Sequence, residues 1–302
     1  MKLKLTRIIP AIAILAVSCV GDQDRNSEHA PDARRDTITA ATSRALAENY
    51  NLNSPEVSFA LPKELHEISG LTALPDGRLG AIQDEAGTLF ILNGQTGSIE
   101  ETYSFGKDAD YEGIEYVEGR IFILQSNGRL FEVTGWEDSD IQTRTHETGL
   151  KGKNDTEGLG FDPSTGRLLI ACKEDPGSDL DNNIKAIYAY DIERSELSSD
   201  PVLQIDEDEV KQQLGDDGKM NFKPSAVAVH PLSADVYVLS SNDRALTVLD
   251  SDGRITRVLH LDGDMFEQPE GITFLPDGTL FISNEGGNGS AMLYQFAAQS
   301  EE

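Results

Sequence analysis

A short motif, in which an acidic residue or a serine precedes a small residue, returns at regular intervals along the chain. The small residue identifies five copies: Gly70, Gly113, Gly158, Ala226 and Gly271. The spacings are 43, 45, 68 and 45 residues, so one period fits every interval except the third. The long interval contains two polar insertions, EDPGSDLDNN and DEDEVKQQLGDDGKM. A period of this length indicates similar units arranged side by side.

Inside each unit, turn residues are followed by short, continuous apolar runs. Turns such as LPDG at 74–77 and 275–278 combine a proline, which presets one backbone angle, with an aspartate and a glycine that suit tight turns. The runs RIFIL, RLLIAC and TLFI lack polar alternation, which favours strands buried on both faces. Four such antiparallel strands in each unit are typical of the blades of a β-propeller.

The last unit lacks a fourth strand, since only AAQSEE follows Phe296. An apolar strand without a partner, EVSFAL at 56–61, precedes the first unit. We expect this strand to complete the last blade and close the ring. The sequence thus predicts an all-β chain with a single β-propeller domain of five blades over residues 54–298, and a tail at 299–302. A sixth blade is the alternative, but the polar insertions are poorly suited to four core strands.

The first residues predict a secretory signal peptide. Three basic residues precede an apolar run at 8–17, which is too short to span a bilayer. The run ends in Ala-Val-Ser-Cys, which resembles a bacterial lipobox. We therefore expect residues 1–18 to be removed and Cys19 to be lipidated. Ordinary secretion with cleavage after Ser18 is the alternative.

Residues 19–53 are polar and nearly free of large apolar side chains, which favours a lipidated, disordered tether. Val20 is not the aspartate associated with retention in the inner membrane, so the outer membrane is favoured. The sequence predicts a lipoprotein of the bacterial cell envelope that faces the periplasm or the cell surface. Its contact with the membrane would be the lipid anchor.

The charge balance restricts the partners. The chain has 53 acidic and 25 basic residues and a formal net charge of −28. A surface this acidic repels nucleic acid and anionic lipid, so we expect no nucleic-acid partner. A cation, a small cationic ligand or an envelope protein is compatible with it. Dispersed negative charge that only keeps the protein soluble is the alternative.

The acidic residues of the repeat should meet at one end of the propeller. In an antiparallel blade, the first strand begins where the second ends, and the first strand lines the central channel. One residue of each blade should therefore reach the same rim: Ser69, Glu112, Glu157, Ser225 and Glu270. Further polar residues should join them there: Glu67, Asp110, Asp155, Asn284 and Glu285. We predict that this rim is the ligand site.

Carboxylates crowded near one axis repel each other unless cations compensate. Calcium, which prefers oxygen ligands, is one candidate, with Glu112, Glu157 and Glu270 as its predicted ligands. Lysines near the same rim are a second candidate: Lys107, Lys151, Lys153, Lys173 and Lys223. A third interpretation is architectural, with each glutamate capping backbone N–H groups of the next blade. The sequence leaves these interpretations open.

Catalytic motifs are few. The chain contains no Gly-x-Ser-x-Gly motif, no His-Glu-x-x-His motif and no phosphate-binding glycine loop. His66, beside Glu67, is the histidine expected at the rim, where it could act as an acid or a base. The sequence therefore identifies no catalytic residues and favours a binding protein over an enzyme.

The segments EISGL, DYEGIEY, DTEGLGFDP, KPSAVAVHP and QPEGITF, each followed by a second apolar strand, resemble the SdiA-regulated β-propeller family. The resemblance covers nearly all of residues 54–298. It implies a propeller associated with the cell envelope and a calcium-linked role. Residues 156–175 are also similar to a strand pair of β-propeller phytases, which implies calcium-dependent hydrolysis of phosphoesters. The other calcium-binding motifs of those enzymes are not found here.

Together these features predict a lipid-anchored, extracytoplasmic propeller that binds a small ligand, a cation or an envelope protein at its acidic rim, with calcium as the expected cofactor. The alternative is a calcium-dependent hydrolase of phosphoesters or lactones. It would use the same carboxylates to hold a metal ion that activates water.

Overall fold

The computed structural model describes residues 50–138, 140–177, 179–215 and 220–298. The predicted signal peptide, Cys19, most of the predicted tether and the tail 299–302 lie outside the described residues. Nearly all regular structure in these ranges is β. No helix within them is long and apolar enough to cross a membrane.

The strands form five antiparallel sheets arranged as a propeller. Strand β1 (Val57–Ala60) and a 3₁₀ turn (Lys63–Leu65) precede the first blade. That blade contains β2 (Ile68–Ala73), β3 (Leu79–Gln83), β4 (Thr88–Leu92) and β5 (Ile99–Ser104). The second blade contains β6 (Tyr111–Val117), β7 (Arg120–Gln125), β8 (Arg129–Thr134) and β9 (Gln142–Glu147).

The third blade contains β10 (Thr156–Asp162), β11 (Arg167–Cys172), β12 (Ile184–Asp191), β13 (Glu196–Leu197) and β14 (Leu203–Asp206). Its outer position is shared by two short strands, because β13 and β14 both pair with β12. The fourth blade contains β15 (Pro224–Val229), β16 (Val236–Ser240), β17 (Ala245–Leu249) and β18 (Ile255–His260). The fifth contains β19 (Pro269–Phe274), β20 (Leu280–Asn284) and β21 (Met292–Phe296).

The predicted closure of the ring and the number of blades are confirmed. Strand β1 pairs antiparallel with β21, with Val57 opposite Gln295 and Ala60 opposite Met292. The fifth sheet thereby has the order β1-β21-β20-β19. Its outer strand comes from the start of the domain and its inner strands from the end, so the first and last segments hold each other in place.

The insertion in the third interval adds no blade. Its second part forms helix α1 (Glu207–Leu214), which is capped by Asp206, whose side chain accepts the backbone N–H of Asp208. Gly215 ends the helix with a left-handed φ of 68°. Val210 of the helix is buried in the apolar cluster between the third and fourth blades. The insertion therefore seals this boundary from the outside.

The small residue of each repeat is required by the contact between neighbouring blades. A Cβ atom at Gly113 would lie 2.7 Å from Cβ of Leu159 and 2.8 Å from the carbonyl oxygen of Glu157 in the next blade. The same relation recurs around the ring: Gly70 against Ile114, Gly158 against Val227, and Gly271 against Leu71. The inner strands thus approach each other more closely than most side chains would allow.

Tyr50 joins the start of the described chain to the end of the propeller opposite the rim. Its ring packs against His230, Tyr237 and Phe274 of the fourth and fifth blades. Leu52, two residues later, is buried in the same apolar cluster. The last residues of the predicted tether therefore pack on the propeller.

The hydrogen bonds of Tyr50 define the tautomer of His230. Nδ1 of His230 accepts the backbone N–H groups of Leu232 and Ser233, both at 3.2 Å. The proton of the neutral ring therefore lies on Nε2, which donates to the Tyr50 hydroxyl at 2.9 Å. The hydroxyl in turn donates to the carbonyl oxygen of Gly278 at 2.5 Å. Burial lowers the pKa of His230 to about 4, consistent with a neutral ring.

Replacing Tyr50 by Phe should lower the free energy of unfolding by about 1–2 kcal/mol. The apolar packing would remain, but the His230 N–H and the Gly278 carbonyl would lose a buried partner. Urea unfolding of the two proteins at neutral pH measures the difference. An unchanged unfolding midpoint and slope would show that the segment around Tyr50 is not held by these bonds.

Candidate ligand-binding site at the channel mouth

Every inner strand contains a β-bulge at the position of the acidic or serine residue. In the second blade, for example, Tyr111 pairs with Gln125 and Gly113 with Leu124, which leaves Glu112 without a partner in the ladder. The other four inner strands show a register shift at the corresponding place. A bulge turns one side chain away from the regular alternation. We call these five residues the bulge ring: Ser69, Glu112, Glu157, Ser225 and Glu270.

The bulge ring closes the channel almost completely. A cavity of about 10 Å³ on the axis is lined by residues of all five inner strands, including Glu112, Glu157 and Glu270. This space is close to the minimum for one water molecule. The predicted gathering of the three glutamates around the axis is therefore seen, but the ring itself has no room for an organic ligand.

The two serines of the ring join neighbouring blades. The Ser69 hydroxyl donates to the carbonyl oxygen of Tyr111 at 2.7 Å, and the Ser225 hydroxyl donates to that of Pro269 at 2.9 Å. Backbone bonds add to these contacts, such as the one from Tyr111 N–H to the Asp84 carbonyl at 2.9 Å. Each bond links a blade to the one after it.

The three glutamates bond to side chains. Glu157 forms an ion pair with Lys173, the Glu112 carboxyl hydrogen-bonds to Asp110, and Ser241 donates to Glu270. The Glu270 contact joins the fifth blade to the fourth, as the architectural interpretation expects, whereas Glu112 and Glu157 interact within their own blades.

Burial makes the glutamates hold their protons at pH values well above the usual range for glutamate. It raises the pKa of Glu112 to about 10, that of Glu270 to about 8 and that of Glu157 to about 7. Burial is the largest cause in each case. Neighbouring carboxylates add to it, while Lys173 partly offsets the rise for Glu157 and Glu270. At neutral pH the ring is therefore only partly ionised.

Three of the five rim lysines form ion pairs near the ring. Lys173 pairs with Glu157 and Lys223 with Glu174. Lys153 lies 2.9 Å from Asp175. Among these three pairs, Lys173 compensates a glutamate of the bulge ring, whereas Lys153 and Lys223 pair with acidic residues that follow β11. Lys107 and Lys151 are exposed.

An open acidic pocket lies beside the ring, between the first and second blades. It has a volume of about 520 Å³ and is lined by Asp84, Glu85, Asp108, Ala109 and Asp110. No basic side chain lines it. Oδ1 of Asp84 is buried without a hydrogen-bond partner, and burial together with Glu67 and Glu85 raises the pKa of Asp84 to about 6. We call this site the acidic pocket.

The remaining predicted residues also lie at the rim. Glu67 is exposed and acts electrostatically on Asp84 and Glu285. Asn284 is buried and accepts the Gln268 backbone N–H at 2.9 Å. Gln268 Nε2 donates to Glu285 at 2.7 Å, and burial and nearby carboxylates raise the pKa of Glu285 to about 7.

Asp155 and His66 complete the rim. Asp155 is half-buried, and its pKa is raised mainly by burial. His66 lies beside the fifth blade, where its carbonyl accepts the Gly286 N–H at 2.8 Å and its charge lowers the pKa of Glu285. The structure thus brings every residue of the predicted site to one end of the propeller.

The oxygen-rich donor set suits a hard cation such as calcium in chemistry. In the ranges that the structure describes, however, no three His, Cys, Asp or Glu residues converge as metal ligands. The side chains would have to move toward a bound ion to coordinate it.

One carboxyl group at this site was not anticipated from the sequence. Glu115, on β6 below the ring, accepts the Thr72 hydroxyl and the Tyr116 N–H, both at 3.0 Å. Burial raises its pKa to about 8. The Thr72–Glu115 hydrogen bond links the first blade to the second inside the channel. The motif DYEGIEY contains this residue, but only the bulge at Glu112 shows that both glutamates belong to the channel.

Comparison with known proteins shows which family model matches the chain and which solved structures share its fold. The model of the SdiA-regulated family matches residues 49–296. No curated protein sequence matches the chain.

Similar solved structures show the fold alone at their low identity. They include a glutaminyl cyclase from Myxococcus xanthus (TM-score 0.56, 13% identity, 82% of this chain and 97% of that chain). A PQQ-bound aldose sugar dehydrogenase from Streptomyces coelicolor is also similar (0.50, 12%, 81% and 97%). So is a luciferin-regenerating enzyme (0.51, 10%, 81% and 95%).

Proposed function

The chain belongs to the SdiA-regulated family, and from this premise we propose that it is a lipid-anchored, extracytoplasmic binding protein that takes up a cation at the acidic mouth of its channel. Calcium is the expected ion. The role is binding without catalysis.

The observation that carries this proposal is the difference in bonding partners between the serines and the glutamates of the bulge ring. Two serines and the main chain join the blades, whereas Glu112 and Glu157 interact with side chains of their own blades and Glu270 interacts with Ser241 of the fourth blade. Placing three carboxyl groups together in a desolvated channel mouth is unfavourable unless they are compensated. Such groups are often functional, and their raised pKa values support the same interpretation.

The acidic pocket supplies the access that the closed ring lacks. It opens to solvent, its charged lining is entirely acidic, and Asp84 offers it a carboxylate oxygen without a partner. A calcium ion that enters through this pocket would be held by its carboxylates and by the ring glutamates Glu112, Glu157 and Glu270. Its charge would neutralise these groups, and the protons that they carry would be released.

The position of Tyr50 supports the proposed attachment to a membrane. The described chain enters at the end of the propeller that contains Gly278 and His230, opposite the rim. A tether that begins at a lipidated Cys19 would reach the propeller at this end. The acidic mouth would then face away from the membrane, toward soluble ligands.

Calcium calorimetry tests the proposal. We expect the wild-type protein to bind calcium with measurable heat, and the triple variant Glu112→Gln, Glu157→Gln, Glu270→Gln to bind at least about tenfold more weakly, because three of the oxygen anions are removed. Asp84→Asn should also weaken binding. Absence of calcium heat with the wild-type protein would contradict the proposal.

A matched triple variant distinguishes the loss of the site from the loss of total negative charge. Glu56, Glu100 and Glu196 are exposed glutamates at the opposite end of the propeller. Their replacement by Gln should leave calcium affinity within about twofold, since exposed charges at this distance are screened by salt. Assays of the same proteins with a phosphomonoester and a lactone address the hydrolase alternative. Calcium-dependent turnover that is lost in the ring variant would replace the binding role by catalysis.

A further inference from the structure

We infer that Lys173 is an internal competitor for the cation: its ammonium group is paired with Glu157 and must leave it before an external cation can bind there. This inference rests on the proposed cation-binding function and adds an autoinhibitory contact to it.

The main chain fixes Lys173 at the rim. The residue follows the last residue of β11, its N–H donates to the Asp155 carbonyl at 2.8 Å, and its own carbonyl accepts the Lys185 ammonium at 3.5 Å. The side chain keeps contact with solvent, since 30% of its surface is exposed. It extends to Glu157, whose side chain is only 8% exposed.

The Lys173 ammonium acts on acidic groups of two blades. Besides its partner Glu157, it affects Asp155 in the third blade and Glu270 and Glu285 in the fifth. It therefore interacts with two of the three glutamates that were predicted to hold a cation, Glu157 and Glu270. These groups in turn raise the pKa of Lys173, so the charge is retained at neutral pH.

An external cation and this ammonium cannot both be bound by Glu157. Two positive charges in a partly desolvated mouth repel each other strongly. Asp155, which is half-buried, also attracts the ammonium and gives the displaced side chain a second carboxylate. Binding would thus exchange the internal ion pair for an external one, which lowers the apparent affinity of the wild-type protein.

Removing the competing charge should strengthen binding. Lys173→Met keeps the aliphatic stem and removes the ammonium, so its calcium affinity should be about tenfold higher than that of the wild type. Lys173→Arg keeps the charge and should stay near wild type. Arg144→Met, at an exposed arginine on the outer strand β9 of the second blade, removes the same charge away from Glu157 and should change affinity by less than about twofold.

Rescue by a small amine gives an independent readout. Thermal unfolding of Lys173→Ala with n-propylammonium, which reproduces the end of the missing side chain, should show a concentration-dependent rise in Tm that the wild type lacks. Tetramethylammonium cannot donate hydrogen bonds and serves as the control. No selective rise with n-propylammonium would overturn the assignment of the mouth as a site for the Lys173 ammonium.

The outcomes separate this inference from the proposed function. If the wild type binds calcium and Lys173→Met binds it no more tightly than Arg144→Met, the inference is wrong and the proposed function stands. If only Lys173→Met binds, the internal ion pair blocks the site fully, so the inference stands and calcium binding by the wild type is refuted. If no variant binds calcium and rescue is absent, both are wrong.

Discussion

The free energy of unfolding is expected to fall by roughly 3 kcal/mol or more as the pH rises from about 5 to about 9 in calcium-free buffer. The folded-state pKa values of the ring glutamates are about 7 for Glu157, about 8 for Glu270 and about 10 for Glu112, against an ordinary value of 4.5. Between the ordinary and the raised value, the folded protein holds a proton that the unfolded chain releases. The contribution of these three groups to stability is therefore fully present below about pH 4.5 and is lost as the pH rises toward each raised pKa.

The variant Glu112→Gln isolates this effect. Gln has nearly the shape of the neutral acid and cannot ionise, so the variant should lose less stability than the wild type between pH 5 and pH 9. It should be the more stable protein at the upper end. Urea unfolding at several pH values measures both slopes. Glu64→Gln, at an exposed glutamate outside the channel, should reproduce the wild-type slope. If the unfolding free energies of the wild type and Glu112→Gln depended equally on pH, the ring carboxyl groups would not be buried in their protonated form.

The fold was predictable because each blade repeats two independent signals. Proline- and glycine-containing turns mark the strand ends, and apolar runs mark the inner strands, so the period of the motif reveals the blades. Counting strands then identified EVSFAL as the closing strand of the fifth blade, which the pairing of Val57 with Gln295 confirms. The insertion between the third and fourth blades was correctly excluded as a blade: its second part forms a short helix, and the edge strands that precede it, β13 and β14, pair with β12 of the third blade.

The location of the site was predictable, but the roles of its residues were not. Strand direction alone places Glu112, Glu157 and Glu270 at one rim. The bulge depends on backbone register, which side-chain periodicity does not reveal. Ser69 and Ser225 are the clearest example: in sequence they interrupt an acidic ring, whereas in the structure they bond the next blade.

The other contacts that the sequence did not predict join residues that lie far apart in the chain. Lys173 was one of five rim lysines in the sequence, and only the fold shows that its side chain reaches Glu157. Glu115 was hidden because its partner Thr72 lies 43 residues away in another blade. Tyr50 belonged to a polar segment, and its contacts with His230 and Gly278 join positions that are far apart in the chain. Such contacts require coordinates.

Gly113→Ala is expected to destabilise the propeller by about 3 kcal/mol or more, although alanine is otherwise well tolerated in strands. The added methyl group would lie 2.8 Å from the carbonyl oxygen of Glu157 and 2.7 Å from Cβ of Leu159, and neither group can rotate away. Relief would require the second and third blades to separate, which would also disturb Glu112 and Glu157 in the bulge ring. The variant should therefore show both a lower unfolding midpoint and weaker calcium binding.

Gly152→Ala provides the matched control, since a Cβ atom at Gly152 would have no neighbour within 4 Å. It makes the same chemical change in the same part of the chain and should stay within about 0.5 kcal/mol of wild type. Ala226, the counterpart of Gly113 in the fourth blade, shows that one boundary of the ring accepts a methyl group. Urea unfolding of both variants decides the matter: if Gly113→Ala is as stable as Gly152→Ala, the inner strands do not approach as closely as the structure describes. The narrow channel, the closed ring and the internal Lys173–Glu157 pair all depend on that approach, because a wider axis would let water reach the glutamates and return their pKa values toward the ordinary range.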